Sequence, residues 1–269
     1  MIAFTSLIIL IAYAPVVRQM FGLWMTDEDL AHGILVLPVI AWIVYRERAR
    51  PRELPLRPSG WGLLLLTFGC ALNLASVRGA GVFLGSLGFP VTVAGAVLCF
   101  GGFRWLRALV VPFSLSLLML PKLDYFYNEL TLPLQLLASG MAAGMLSTAG
   151  FDVLRSGTLL TVSGHQVVVE AACNGIRYLY PLLFVVVLFG YITRSPLWIR
   201  AALGLAAVPL AIAANAFRVA ASAASARLVM GGLHTLIGIV VFVLILPALP
   251  LAQSLFSSIE RSIDRRIHA

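Results

Sequence analysis

Apolar runs close to twenty residues long, separated by short turns that hold most of the charge, leave this chain no soluble fold to adopt. A bilayer's hydrocarbon core takes about 20 helical residues to cross. Runs that meet or approach that length lie at about 2–20, 31–45, 61–77, 81–100, 106–120, 174–192, 200–217 and 235–253. A ninth apolar stretch, about 130–149, is rich in Gly, Ala, Ser and Met and carries Gln135. Only 11% of the residues are charged, against roughly 25% in a soluble domain. The expected class is therefore an all-α polytopic membrane protein of about eight transmembrane helices, a single integral membrane domain over residues 1–269.

The net charge of +8 would suggest a nucleic-acid partner in a soluble chain. Here the arginines cluster in short loops, as topology determinants do, and no nucleic acid is expected. Arg46, Arg48, Arg50, Arg52 and Arg57 fill one such turn. Arg104 with Arg107 and Arg194 with Arg200 mark two more, and Arg261, Arg265 and Arg266 end the chain. These belong on the cytoplasmic side, and Asp27, Glu28, Asp29, Asp124, Glu129, Asp152 and Glu170 on the other. The alternation closes with both termini cytoplasmic if about 121–172 stays extracytoplasmic. Within it, 130–149 would lie along the interface or re-enter, and 158–169 alternates around Ser163-Gly164 as a short hairpin. Ile2 to Met20 has no basic n-region or cleavage site and reads as a retained span. The expected location is the cytoplasmic (inner) membrane.

Polar side chains that survive in apolar context mark function. Cys173 opens the sixth span, Arg218 closes the seventh and His234 opens the eighth, all on the extracytoplasmic side. A cysteine nucleophile needs such partners: a histidine to move protons and a cation to stabilise an oxyanion. The helix N-terminus and Arg177, one turn further on, are expected to lower the thiol pKa. Asn215 shares a helical face with Arg218 and is expected to orient its guanidinium. Glu170 is a candidate ion-pair partner for Arg218, Arg177 or His234. Arg177 would tune the thiol or hold a substrate carboxylate, and His32 is a candidate substrate contact. Each has a plainer reading: a snorkelling arginine, an interfacial histidine, a small helix-start cysteine, a solvated loop acid. His165 is expected to be exposed and idle, and Cys70 and Cys99 to be packing residues. No metal-ligand spacing or cofactor motif is present.

Three blocks resemble the exosortase/archaeosortase family of membrane cysteine transpeptidases. The first runs from Trp24 through Asp29-Leu30-Ala31-His32-Gly33 to Pro38 and the basic turn at Arg46. The second is Glu170-Ala171-Ala172-Cys173-Asn174-Gly175-Ile176-Arg177. The third is Asn215-Ala216-Phe217-Arg218 followed by His234. Family members often carry Ser where this chain has Asn174. The resemblance implies catalytic Cys173, Arg218 and His234, supported by Glu170, Asn174, Gly175, Arg177, Asn215 and His32, with no cofactor. It implies a peptidase or transpeptidase that cuts C-terminal sorting signals of secreted proteins. Such a signal is a short motif such as Pro-Glu-Pro, a transmembrane helix and a basic tail, and in Gram-negative bacteria the activity accompanies exopolysaccharide production. The partners implied are that signal helix and membrane lipid. From the residues alone, two other readings stay open. One is a transporter or assembly subunit for polysaccharide or lipid export; the other is a membrane acyltransferase that loads Cys173.

Overall fold

A computed structural model describes residues 2–48, 54–170, 173–224 and 232–267, with side chains left aside at 2–3, 124, 126, 232–235 and 263–267. Helices dominate, as an all-α polytopic membrane protein requires. Among the described residues, six are long and apolar enough to cross a bilayer: Phe4–Thr26, Trp61–Ala80, Val82–Phe100, Tyr127–Thr148, Leu197–Ala223 and Leu236–Ser262. Gly33–Arg46 and Ile176–Ile192 are shorter apolar helices. Two compact units, 1–123 and 124–269, divide the chain.

The first unit holds α1 (Ile2–Thr26), α2 (Gly33–Arg46), α3 (Trp61–Ala75), α4 (Val82–Phe100), α5 (Phe103–Ala108) and α6 (Val110–Leu117). A π-helical turn, Ser76–Ala80, links α3 to α4 through left-handed Gly79 (φ 98°) and Gly81 (φ 92°). Lipid is as apolar as leucine, so membrane helices associate by close packing rather than by the hydrophobic effect. Glycines let α3 and α4 do this: a Cβ on Gly95 would strike the Leu66 backbone, and one on Gly69 the backbone and hydroxyl of Thr92. Tyr13 of α1 joins the pair, its buried hydroxyl donating to the Gly69 carbonyl at 2.8 Å and lying 2.7 Å from the Thr92 hydroxyl.

The span expected at 106–120 is instead two short helices broken at Leu109 (φ −101°, ψ 13°). They still carry the chain from one end of the unit to the other. At one end Arg57 donates its backbone N–H to the Gly101 carbonyl at 3.4 Å. At the other, Trp24 Nε1 donates to the Met119 carbonyl at 3.2 Å, and Lys122 pairs with Asp29 and, at 3.1 Å, with Asp27.

The second unit comprises α7 (Asp124–Thr148), strands β1 (Val153–Ser156), β2 (Leu159–Val162) and β3 (His165–Val168), and helices α8 (Ile176–Ile192), α9 (Leu197–Ala223), α10 (Gly232–Ile245) and α11 (Ala248–Ile267). The expected hairpin forms: β2 and β3 are antiparallel, Val162 faces His165, and Ser163 (φ 48°) and Gly164 (φ 89°) supply the left-handed pair a two-residue turn demands. β1 adds a third strand, giving the order β1-β2-β3. The stretch at 130–149, expected to lie along the interface or re-enter, is part of one 25-residue helix, α7. Its small residues hide a stripe at four-residue steps, Ala138, Ala142 and Leu146, which is buried with Leu160, Val162 and Val167 of the sheet. The span expected at 235–253 falls within the apolar stretch Leu236–Ser262, in which a two-residue turn at Leu246-Pro247 separates α10 from α11.

α9 belongs to two cores. Its first half buries Ile199, Leu203, Ala207, Ala211 and Ala214 against α8, α10 and α11. Its last turns bury Val219, Ala220 and Ala223 against α7 and the sheet.

Candidate active site

The chain reaches Cys173 from the sheet. Val169 donates its N–H to Thr158 at 2.9 Å, extending the β2–β3 ladder, and Cys173 donates its N–H back to the Glu170 carbonyl at 2.8 Å. Asn174 is buried and works with both ends of its amide. Its oxygen accepts from the Ile176 N–H at 3.0 Å and its nitrogen donates to the Thr131 hydroxyl of α7 at 3.2 Å. Gly175 is left-handed (φ 87°, ψ −12°), a conformation that costs glycine little, and it lets the chain turn into α8 at Ile176. Cys173 therefore precedes the helix by a bend instead of opening it as expected.

Asn215 of α9, 1% exposed, donates its amide to the Cys173 carbonyl at 2.6 Å. It holds the cysteine's backbone rather than the guanidinium it was expected to orient. A Cβ on Gly175 would meet that of Asn215 at an ordinary 3.4 Å, so the positive φ rather than lack of space is what calls for glycine there.

Arg218 falls on the same stripe as Ala207, Ala211 and Ala214, three to four residues apart, and is 2% exposed. Its guanidinium carbon lies 5.9 Å from the ring centre of Tyr178, close enough for a cation–π interaction. Gly238 of α10 closes that side: a Cβ there would sit 3.4 Å from Arg218 Nε and 3.5 Å from the Tyr178 hydroxyl. Tyr178 donates that hydroxyl to the Gly238 carbonyl at 3.3 Å.

Cys173 and Arg218 line one cavity of about 140 Å³, together with Glu170, Val167–Val169, Val219 and Ser222. Burial pushes the Cys173 thiol above its ordinary range; Arg218 and then Arg177 pull it back, and Glu170 adds to the rise. The net direction is opposite to the lowering expected from charge alone. A sequence shows the cations but not the lost hydration, and here desolvation outweighs them.

His234 belongs to α10 by its backbone, one turn before Gly238; its side chain lies outside the described residues. His32 lies in the first unit, where its Nε2 is 2.8 Å from the Leu118 carbonyl and burial pushes its pKa down. It ties the α1–α2 turn to the end of α6. His165, expected to be idle, is half-buried, with Nε2 3.0 Å from the Ala223 carbonyl. Cys99 is half-buried, and Cys70 is exposed on α3 rather than packed. Tyr178 and Gly238 escaped the sequence reading. The signal for Tyr178 was its position one residue after Arg177 at the start of an apolar helix; nothing marked Gly238.

A sequence model described as transmembrane exosortase matches residues 24–250. No curated protein and no solved structure matches the chain.

Proposed function

The chain belongs to the transmembrane exosortase family, and from that premise we propose that it is a cysteine transpeptidase or peptidase acting on C-terminal sorting signals. The observation that carries the reading is that Cys173 and the buried Arg218 line a single cavity.

The resting thiol is protonated, because burial outweighs the two cations. Attack therefore begins with loss of the Cys173 proton to a base, the role assigned to His234. The sulfur bonds to the scissile carbonyl carbon, and the carbonyl π electrons move onto oxygen. Arg218 faces that oxyanion. As the carbonyl reforms, the carbon–nitrogen bond breaks and the leaving amine takes the proton from His234. The thioester left on Cys173 passes its acyl group to water, or to an amine or hydroxyl of a carrier. Asn215 and Asn174 position the nucleophile's backbone, and Arg177 biases the thiol toward thiolate.

The substrate's apolar helix would dock from the bilayer, with its motif outside and its basic tail in the cytoplasm. The cavity would face the extracytoplasmic side.

A co-expressed reporter tests the proposal: a soluble domain followed by a Pro-Glu-Pro segment, an apolar helix and an arginine tail. Cleavage by the native chain and none by Cys173→Ala is the expected result. Equal cleavage by both would refute it.

A further inference from the structure

Among the described residues the sheet ends on a strand whose outer edge is open, and that strand runs into the cavity. In the order β1-β2-β3, β3 is paired on one side only. Val162 faces His165 and Leu160 faces Val167 across the two-residue turn. The next bond in that series, from Val169 N–H to Thr158, fixes the phase. His165, Val167 and Val169 thus direct their main-chain groups toward β2 and its extension, while Gln166 and Val168 direct theirs away. Among the described residues, no backbone group pairs with that outer edge.

We propose that this edge receives the substrate: an extended peptide segment adds to β3 as a fourth strand, hydrogen-bonding to the main chain of Gln166 and Val168. The proposal deepens the peptidase reading and rests on it. Val168 and Glu170 line the same cavity as Cys173 and Arg218, so a strand laid along this edge is led toward the thiol. With about 3.3 Å per residue, two or three added residues cover the distance between the Gln166 and Val168 positions.

The chemistry of the ligand favours this mode. A peptide leaving its apolar helix at the bilayer surface loses its helical hydrogen bonds where water is scarce, and unpaired backbone groups there are costly. An open strand edge supplies donors and acceptors at the matching spacing, whatever the side chains. Val167 of this strand and Val169 just beyond it are buried in the core of the second unit, which anchors the edge from its inward face.

Cysteine cross-linking reads the geometry directly. The chain carries Val168→Cys with Cys70, Cys99 and Cys173 each changed to Ala, and the reporter carries single cysteines along its segment just outside the helix. Strand addition gives disulfides at every second reporter position. Cross-links repeating every third or fourth residue, equal at all positions, or absent would overturn the proposal.

A second arm removes one hydrogen bond. Val168→Pro deletes the outward N–H and spares the ladder to β2; its cleavage should fall at least about ten-fold below that of Val168→Ala, which keeps the donor. The alkylation rate of Cys173 checks that the site is intact. Equal cleavage by the two variants, with intact alkylation, counts against strand addition. Should the native chain cleave no reporter while the alternating cross-links persist, the peptidase reading falls and the docking edge stands. Cleavage without alternating cross-links gives the reverse.

Discussion

Asn215 donates its side-chain amide to the main-chain carbonyl of Cys173 at 2.6 Å, joining α9 to the bend before α8. The helix that carries the cation thereby also fixes the position of the sulfur. The bond is part-buried, with Asn215 itself 1% exposed, so its loss leaves a carbonyl without this donor and costs on the order of 1 kcal/mol. Asn215→Ala should lower the melting temperature in detergent and reduce reporter cleavage more than it reduces binding of the reporter helix. An unchanged cleavage rate would deny the tether a functional part.

The Cys173 thiol sits above its ordinary range because burial dominates. Its thiolate, and hence its alkylation by iodoacetamide, should rise with pH and reach half-maximum above the midpoint of a free cysteine. Arg218 is the largest of the lowering influences, so Arg218→Ala should move that midpoint further up. Losing a donor to the oxyanion typically costs ~3 kcal/mol, so the same variant should cleave about 100-fold more slowly. A midpoint that does not move would separate the guanidinium from the sulfur.

Gly238 leaves room for a methyl group and little more beside Arg218 and Tyr178. Gly238→Ala should be tolerated, because its Cβ would make ordinary contacts. Gly238→Leu should displace the guanidinium and depress cleavage by about ten-fold or more while the helices remain folded, since small misplacements near the chemistry are amplified. Circular dichroism together with the cleavage assay distinguishes this from unfolding.

Lys122 stands between Asp27 and the nearly buried Asp29. Removing the cation alone strands buried negative charge, which costs on the order of 3–5 kcal/mol when a pair is fully enclosed. Lys122→Ala should lower the melting temperature clearly, and adding Asp29→Asn should restore part of the loss. If the single variant melts normally, the pairing is solvated and contributes little.

Hydropathy alone was enough to place most helices, because apolar runs of membrane length have few alternatives. The hairpin at 158–169 was equally legible, with its period of two and a left-handed Ser163-Gly164 turn. What stayed hidden depends on partners far along the chain. β1 is four residues with Arg155 among them, and it becomes a strand only beside β2. The Arg155 guanidinium is absorbed by the Leu136 and Gly157 carbonyls and the Ser139 hydroxyl. α7 carries its packing in alanines, whose stripe is too faint to register as amphipathic. The break at Leu109 falls one turn before Pro112, which has no N–H to bond the Ala108 carbonyl and whose ring crowds it.

The site divides in the same way. The motif pointed to Cys173, Asn174, Gly175, Asn215 and Arg218 by kind and order, and the fold supplies how the first four are connected. The direction of the thiol's pKa could not be read from sequence, since desolvation depends on what closes over the sulfur.

Because α9 is shared by two cores, it behaves like an axle with the guanidinium as a cam. A packing change at Leu203 or Ala207, several turns away, that rolls the helix slightly would swing Arg218 by about 1 Å, enough to cost roughly 100-fold in rate. Tuning of the proposed activity can therefore come from residues that never approach the peptide.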